Sequence, residues 1–252
     1  MPTLFPYTTL FRSPGPRPAG VLRLGRRSFE PSQLLVMAVV DWGPDAAAAM
    51  ERVHAVVAEG ADIVEVAGGP DGEADEREEI RQSVPFIAAV RDSHPELVVG
   101  VRTGRRAVAR EACAAGADLL GFWDGPVPRD PRGLWGFGGF GLAEVAAGFG
   151  AGVVCPPALA ARAVAAGVEP ERVIIGVERA FRLAGPVATG WPVLVSLPDD
   201  DLARGLATAA VAAWLGARVF RVPWMRETRR VLRMVSAIRG DIPPAYAVRG
   251  LA

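Results

Sequence analysis

The sequence predicts an α/β chain folded as a single (β/α)8 TIM barrel, and three observations carry that expectation. From Gln33 onward, short β-branched runs alternate with alanine-rich amphipathic runs. The β-branched runs are continuously apolar, as strands of a parallel sheet read when helices cover it. The chain has 252 residues, half of them hydrophobic, close to the usual length of such a barrel. Periodicity alone leaves a doubly wound open sheet as the structural alternative.

Eight apolar runs are the candidate strands: Leu34–Val40, Asp62–Ala67, Leu97–Val101, Asp118–Phe122, Gly152–Cys155, Arg172–Val177, Pro192–Leu197 and Arg218–Val222. Between them fall helical patterns at Ala46–Glu59, Glu76–Asp92, Arg105–Ala115, Leu142–Phe149, Ala158–Ala166, Asp201–Leu215 and Met225–Arg239. The phrases "AEGADIVEV", "AAGADLLGF", "GFGAGVVC" and "WLGARVFRV" each place a helix-ending glycine just before a strand. The sixth unit is shortened, because only "ERAFRLAGPVATG" separates strands six and seven. Residues 1–30 are rich in proline and polar residues, and are expected to be a disordered or artefactual segment ahead of a barrel spanning 31–252.

Cations and anions balance at 28 each, so no global field favours nucleic acid or an anionic membrane. All 28 cations are arginine, and asparagine is absent as well. That composition excludes a Schiff-base lysine, a P-loop lysine and an asparagine ligand. Cys113 and Cys155 are isolated, which suits a reducing, cytoplasmic setting and offers no metal spacing. His54 lies in a helical pattern and His94 in a turn before Pro95. Neither falls at a strand end, so both are expected to be structural or solvated. No apolar run approaches the roughly 20 residues of a membrane span.

The loop 124–141, "DGPVPRDPRGLWGFGGFG", satisfies GxGxxG at Gly136, Gly138 and Gly141. Dinucleotide binding needs a strand directly before those glycines and an acidic residue at the next strand end. Neither is present, so the loop reads as an aromatic flap over the barrel mouth.

Where a barrel carries its chemistry, at the C-terminal strand ends, the chain places Asp41, Glu65, Arg102, Glu178, Asp199, Asp200 and Arg221. Two arrangements follow. In one, salt bridges close the mouth and neighbouring carboxylates neutralise both arginines. In the other, Arg221 and Arg102 hold an anion, while Asp41, Glu65 or Asp199 carries a metal or acts as a base. The acids of "PDDDLARGL" also fit a helix start, with Asp199 or Asp200 as N-cap. "EADEREEIRQ" reads as a solvated first turn with pairs such as Glu78–Gln82.

The segments "AEGADIVEVAGG", "VPFIAAVR", "ACAAGADLL", "TGWPVLVSL" and "GARVFRVPWMRETRRVLRMVSAI" resemble dihydropteroate synthases, and a divergent second-copy branch of them above all. The resemblance runs from Leu34 to the terminus. It implies the barrel and a folate-pathway transferase that joins a pterin pyrophosphate to p-aminobenzoate. It also implies ligands at the strand ends, and there the chain departs. The family's first strand ends in an asparagine, then Thr-Pro-Asp-Ser-Phe, for pyrophosphate and magnesium. Here Asp41-Trp42-Gly43-Pro44-Asp45 follows, leaving Asp41 and Asp45 as the metal candidates if an anion site with Mg2+ persists. The Ser-Thr-Arg-Pro loop after strand two is replaced by Gly68-Gly69-Pro70-Asp71-Gly72.

At strand three the implied pterin-binding aspartate is Arg102, which has donors only where the ring needs an acceptor. Strand four carries Gly121-Phe122 in place of Asn-Asp, and strand six runs into Glu178 without the family's Asp-Pro-Gly. Strand seven leads to Pro198-Asp199-Asp200 rather than to a pterin-binding lysine. The last strand keeps Arg221 and Val222, but Pro223 replaces the histidine. Each lost charged ligand costs on the order of 1.5–3 kcal/mol, and a handful exceeds the roughly 8 kcal/mol of a micromolar ligand.

No residue is therefore assigned a catalytic role, and the expected function is a dihydropteroate synthase-like barrel without synthase activity, non-catalytic or regulatory. The alternative is an active synthase with rewired ligands. By resemblance, helix Asp201–Leu215 with Trp214 is expected to pair, in a homodimer or with an active synthase.

Overall fold

The computed structural model describes residues 20–43, 45–67, 76–121, 138–177 and 183–243. A hairpin comes first, β1 (Leu22–Leu24) and β2 (Arg27–Phe29). The barrel then runs through β3 (Leu35–Asp41), α1 (Ala46–Ala58), β4 (Ile63–Ala67), α2 (Glu76–Ser93), β5 (Val98–Arg102), α3 (Arg106–Ala114) and β6 (Leu119–Gly121). It continues with α4 (Gly138–Phe149), β7 (Gly152–Cys155), α5 (Ala160–Ala165), β8 (Val173–Val177) and α6 (Ala184–Ala188). It ends with β9 (Val193–Ser196), α7 (Leu202–Trp214), β10 (Val219–Val222) and α8 (Met225–Arg239).

The eight strands β3–β10 are parallel and close on themselves, with β10 pairing β3 through Val219↔Leu35 to Val222↔Ala38. Closure excludes the open-sheet alternative. The shortened sixth unit is present as the five-residue α6. No helix among the described residues is long and apolar enough to cross a membrane.

Strand alternation sorts the apolar residues into two layers. One face of each strand (Val36, Val64, Val99, Val153, Ile175, Val195 and Phe220 among them) packs beneath the helices. The other face supplies Leu35, Met37, Ile63, Val98, Leu119, Val154, Ile174, Leu194 and Val219 to the barrel interior.

Leu22, Leu24 and Phe29 of the hairpin join that inner layer, each at most 1% exposed. The expectation that residues 1–30 stand outside the fold is therefore corrected for 20–30; residues 1–19 lie outside the described residues. The physical reason is that the inner layer needs a floor. Burying side chains of this size contributes about 1.5–3 kcal/mol each. Arg218, 3% exposed, fastens the hairpin by donating from Nη1 to the Gly20 carbonyl (2.6 Å) and from Nη2 to those of Phe29 (2.6 Å) and Glu30 (2.7 Å).

The repeated "GAD" phrase forms one device twice. Asp62 accepts from the Val36 N–H at 2.9 Å, and Asp118 from the Val99 N–H at 3.0 Å. Each carboxylate also holds an arginine, Arg229 and Arg91 respectively, which reaches back to the glycine carbonyl that ends the preceding helix, Gly60 and Gly116. The phrase thus ties strand start, neighbouring strand and helix end together.

Candidate site at the barrel mouth

Two residues beyond the inner apolar layer, the strands change chemistry. Met37 is followed on the same face by Val39 and Asp41, Ile63 by Glu65, Val98 by Gly100 and Arg102, Leu119 by Gly121, Leu194 by Ser196, and Val219 by Arg221. Val39 is 36% exposed in the middle of its strand, so the interior opens to solvent above Met37.

Glu65 and Arg221 meet inside this opening. Arg221 Nη2 donates to Glu65 Oε1 at 2.7 Å, and Nη1 donates to Ser196 Oγ at 3.3 Å. The two side chains are 2% and 14% exposed. The pair spans β3, whose residues stand in register with Glu65 (at Val39) on one side and Arg221 (at Met37) on the other. Glycines make the room: a Cβ at Gly121 would stand 2.9 Å from Glu65 Oε1, and one at Gly100 would touch the Glu65 backbone. Glu65 Oε2 and Arg221 Nε are buried without a partner among the described residues.

The other candidate residues are placed as follows. Arg102 ends β5, half-buried, in register with Ala67 and Gly121. Asp41 ends β3 with an exposed side chain, and its carbonyl accepts from Arg52 at 2.9 Å. Asp45 is the N-cap of α1, accepting from the N–H groups of Ala47 (3.1 Å) and Ala48 (3.0 Å) through Oδ1. Among the described residues no three His, Cys, Asp or Glu gather as a metal set. Glu178 lies outside the described residues.

The acidic run at Asp199–Asp201 does start a helix, but the cap is Asp201, whose Oδ1 accepts from the Arg204 N–H at 2.7 Å. This corrects the expected cap at Asp199 or Asp200. The reason is local: the Asp200 carboxylate pairs with the Arg204 side chain one turn on, and Asp199 is left exposed. The acidic start of α2 holds Glu78 against Gln82 and Arg81, and its Glu79 against Arg105 at 2.7 Å. Of the glycine-rich loop, 124–137 lies outside the described residues. Gly138–Gly141 form the first turn of α4 rather than part of a flap.

The sequence left open which carboxylate meets which arginine, and it passed over Ser196. That residue could have been found from strand alternation, since it follows the inner-face Leu194 by two.

Chemically, the arrangement is an ion pair with its charges cancelled. A phosphate that sought Arg221 would have to displace a carboxylate already bonded to it.

Comparison with known proteins gives the same scaffold. The family described as "Pterin binding enzyme" matches residues 42–156. The "Inactive dihydropteroate synthase 2" of Mycobacterium tuberculosis is 37% identical, covering 86% of this chain and 87% of that protein. The structure of Mycobacterium tuberculosis Rv1207 superposes with a TM-score of 0.72 at 38% identity, over 90% of this chain and 100% of that one. A Coxiella burnetii dihydropteroate synthase in complex with pteroic acid matches in fold, with a TM-score of 0.72 at 20% identity, over 88% and 99% of the two chains.

Proposed function

Since the chain belongs to the pterin-binding enzyme family, alongside the inactive dihydropteroate synthase 2 proteins, we propose that it is a synthase-like barrel that makes no dihydropteroate. The observation that carries this reading is the Glu65–Arg221 pair. Arg221 is the cation the family resemblance assigns to the anionic substrate, and here its charge is cancelled from within. Arg102 adds a second obstacle, presenting donors where the pterin's N–H edge requires an acceptor.

The test is a synthase assay on the purified chain with pterin pyrophosphate, p-aminobenzoate and Mg2+, read by chromatography. No dihydropteroate above the no-protein blank is expected. Turnover would overturn the reading in favour of a transferase with a rewired site. A thermal-shift series with pyrophosphate, Mg2+ and the pterin accompanies it, and an unchanged Tm is expected for each.

The same reading extends to a partner. Helix α7 buries its small residues Gly205, Ala209, Ala212 and Ala213 and turns Val211, Trp214 and Leu215 outward, 58%, 60% and 46% exposed. On α8, packed beside it, Met234 and Ile238 are 55% and 66% exposed. Apolar side chains of this size on adjoining helices suit a second copy of the chain. A dimer on size-exclusion that becomes a monomer with Trp214→Glu is expected; a monomer at all concentrations removes the pairing.

A further inference from the structure

The chain contains two histidines, and they touch. His54 lies on α1, His94 directly after α2, 40 residues apart, yet His54 Nδ1 and His94 Nε2 stand 2.9 Å apart. Their ring centroids are 5.0 Å apart and the rings are tilted by 59°, so this is an edge-on meeting of nitrogens rather than a stack. Both rings are on the helical exterior, outside the mouth, and reach solvent.

The geometry points to this pair as a bidentate site for a divalent transition metal, of the zinc, nickel or copper class. Two imidazole nitrogens on one tetrahedral ion, each about 2.0–2.1 Å from the metal, are about 3.3 Å apart. The observed pair needs to open by about 0.4 Å, and each ring to turn by about 35°, so that both lone pairs aim at the ion rather than at each other. A metal binds the neutral ring. Burial, and then the neighbouring His54, hold His94 below its ordinary value.

In the metal-free pair one of the two facing nitrogens carries the shared proton. Metal binding requires that ring to carry its proton on its outer nitrogen instead, so both facing lone pairs bind and no net proton is lost. Among the described residues no third protein ligand joins them, so water completes the coordination. Imidazole ligands select against magnesium and calcium and favour the later transition metals. Bound there, the ion clamps α1 to the turn leading into β5.

The experiment is calorimetric titration of Ni2+ and Zn2+ into the full chain, prepared without a histidine tag, against His94→Ala and His54→Ala. One saturable site per chain is expected for the native protein and none for Mg2+. Each variant should weaken it by more than about 10-fold, the least that losing even an outer supporting residue of a metal site costs. Both substitutions are at solvent-accessible positions, and circular dichroism checks that the variants fold. A native chain without a saturable site, or a site that survives His94→Ala in a folded variant, overturns the proposal. Since these are the only imidazoles present, nitrogen-15 spectra of the rings read the same event directly: shifts of both rings at one equivalent of Zn2+ support the site, and unmoved rings refute it.

Discussion

Arg221 lies 2.7 Å from Glu65 across the inside of the barrel, and each is nearly closed off from water. The cation that the family resemblance assigns to an anion is thereby paired from within. Glu65 reaches that cation because Gly121 has no side chain to stop it.

A pair this deeply buried is costly to break singly and cheap to replace whole. Arg221→Met should lower unfolding stability by about 3–5 kcal/mol, because it strands a buried carboxylate. The double variant Glu65→Leu/Arg221→Met should fall near the wild type. Urea unfolding of the four proteins of this cycle measures the difference.

Neutralising the carboxylate should return the cation to the mouth. Glu65→Gln keeps an acceptor for Arg221 but removes the opposing charge. Pyrophosphate at millimolar concentration should raise the Tm of this variant and leave the wild type unmoved. Equal responses from the two proteins would show that Glu65 does not silence Arg221.

Stability should fall on mild acidification through His94. Its folded-state pKa is depressed, first by burial and then by His54. The unfolded chain therefore takes up the proton first as pH drops below about 6.5. The contribution is whole above that value and is lost as pH falls toward the folded-state pKa. Chemical denaturation between pH 7.5 and 5.5 should show a shallower slope in His94→Gln.

Close packing makes two glycines intolerant. A Cβ at Gly205 would stand 2.6 Å from the Trp224 ring and 3.2 Å from the Pro198 carbonyl. One at Gly152 would stand 2.8 Å from the Arg172 carbonyl and 2.7 Å from Leu24. Gly205→Ala gains helix propensity of about 1 kcal/mol on α7, yet should still lose stability, by about 1–3 kcal/mol from overpacking. Gly152→Ala should lose at least as much, since backbone cannot move aside. Thermal melts of both variants provide the comparison.

Neither thiol should react in the native protein. Both are buried, and burial, with the charge of Asp118 added, pushes the Cys113 thiol up to about 12. Ellman's reagent should titrate no thiol in buffer and two in denaturant.

Much of this architecture is legible in sequence because it rests on local periodicity. Continuous β-branched runs marked all eight barrel strands within a residue or two of their bounds, and the glycines before them marked the helix ends. The hairpin was passed over although "LRLGRRSF" carries its signature: two alternating leucines before a glycine, here Gly25 at φ 55°, and an apolar Phe29 after it. Helix α4 begins four residues early, inside a glycine run, where tertiary packing overrides low helix propensity. Close helix packing is visible there: a Cβ at Gly141 would stand 3.1 Å from Arg106.

By itself, the sequence determined the eight strands and their alternation with helices, the absence of lysine and asparagine, and which residues stand at the strand ends. These are properties of single positions and of short-range pattern, which hydrophobic burial and side-chain chemistry dictate locally. Only the tertiary structure decided which charges meet. Glu65 and Arg221 are 156 residues apart, and His54 and His94 are 40. Closure of β10 against β3 and the packing of the α1 unit beside the α2 unit bring them together. Coulomb attraction and hydrogen bonding act over a few ångströms, and no spacing along the chain encodes that distance.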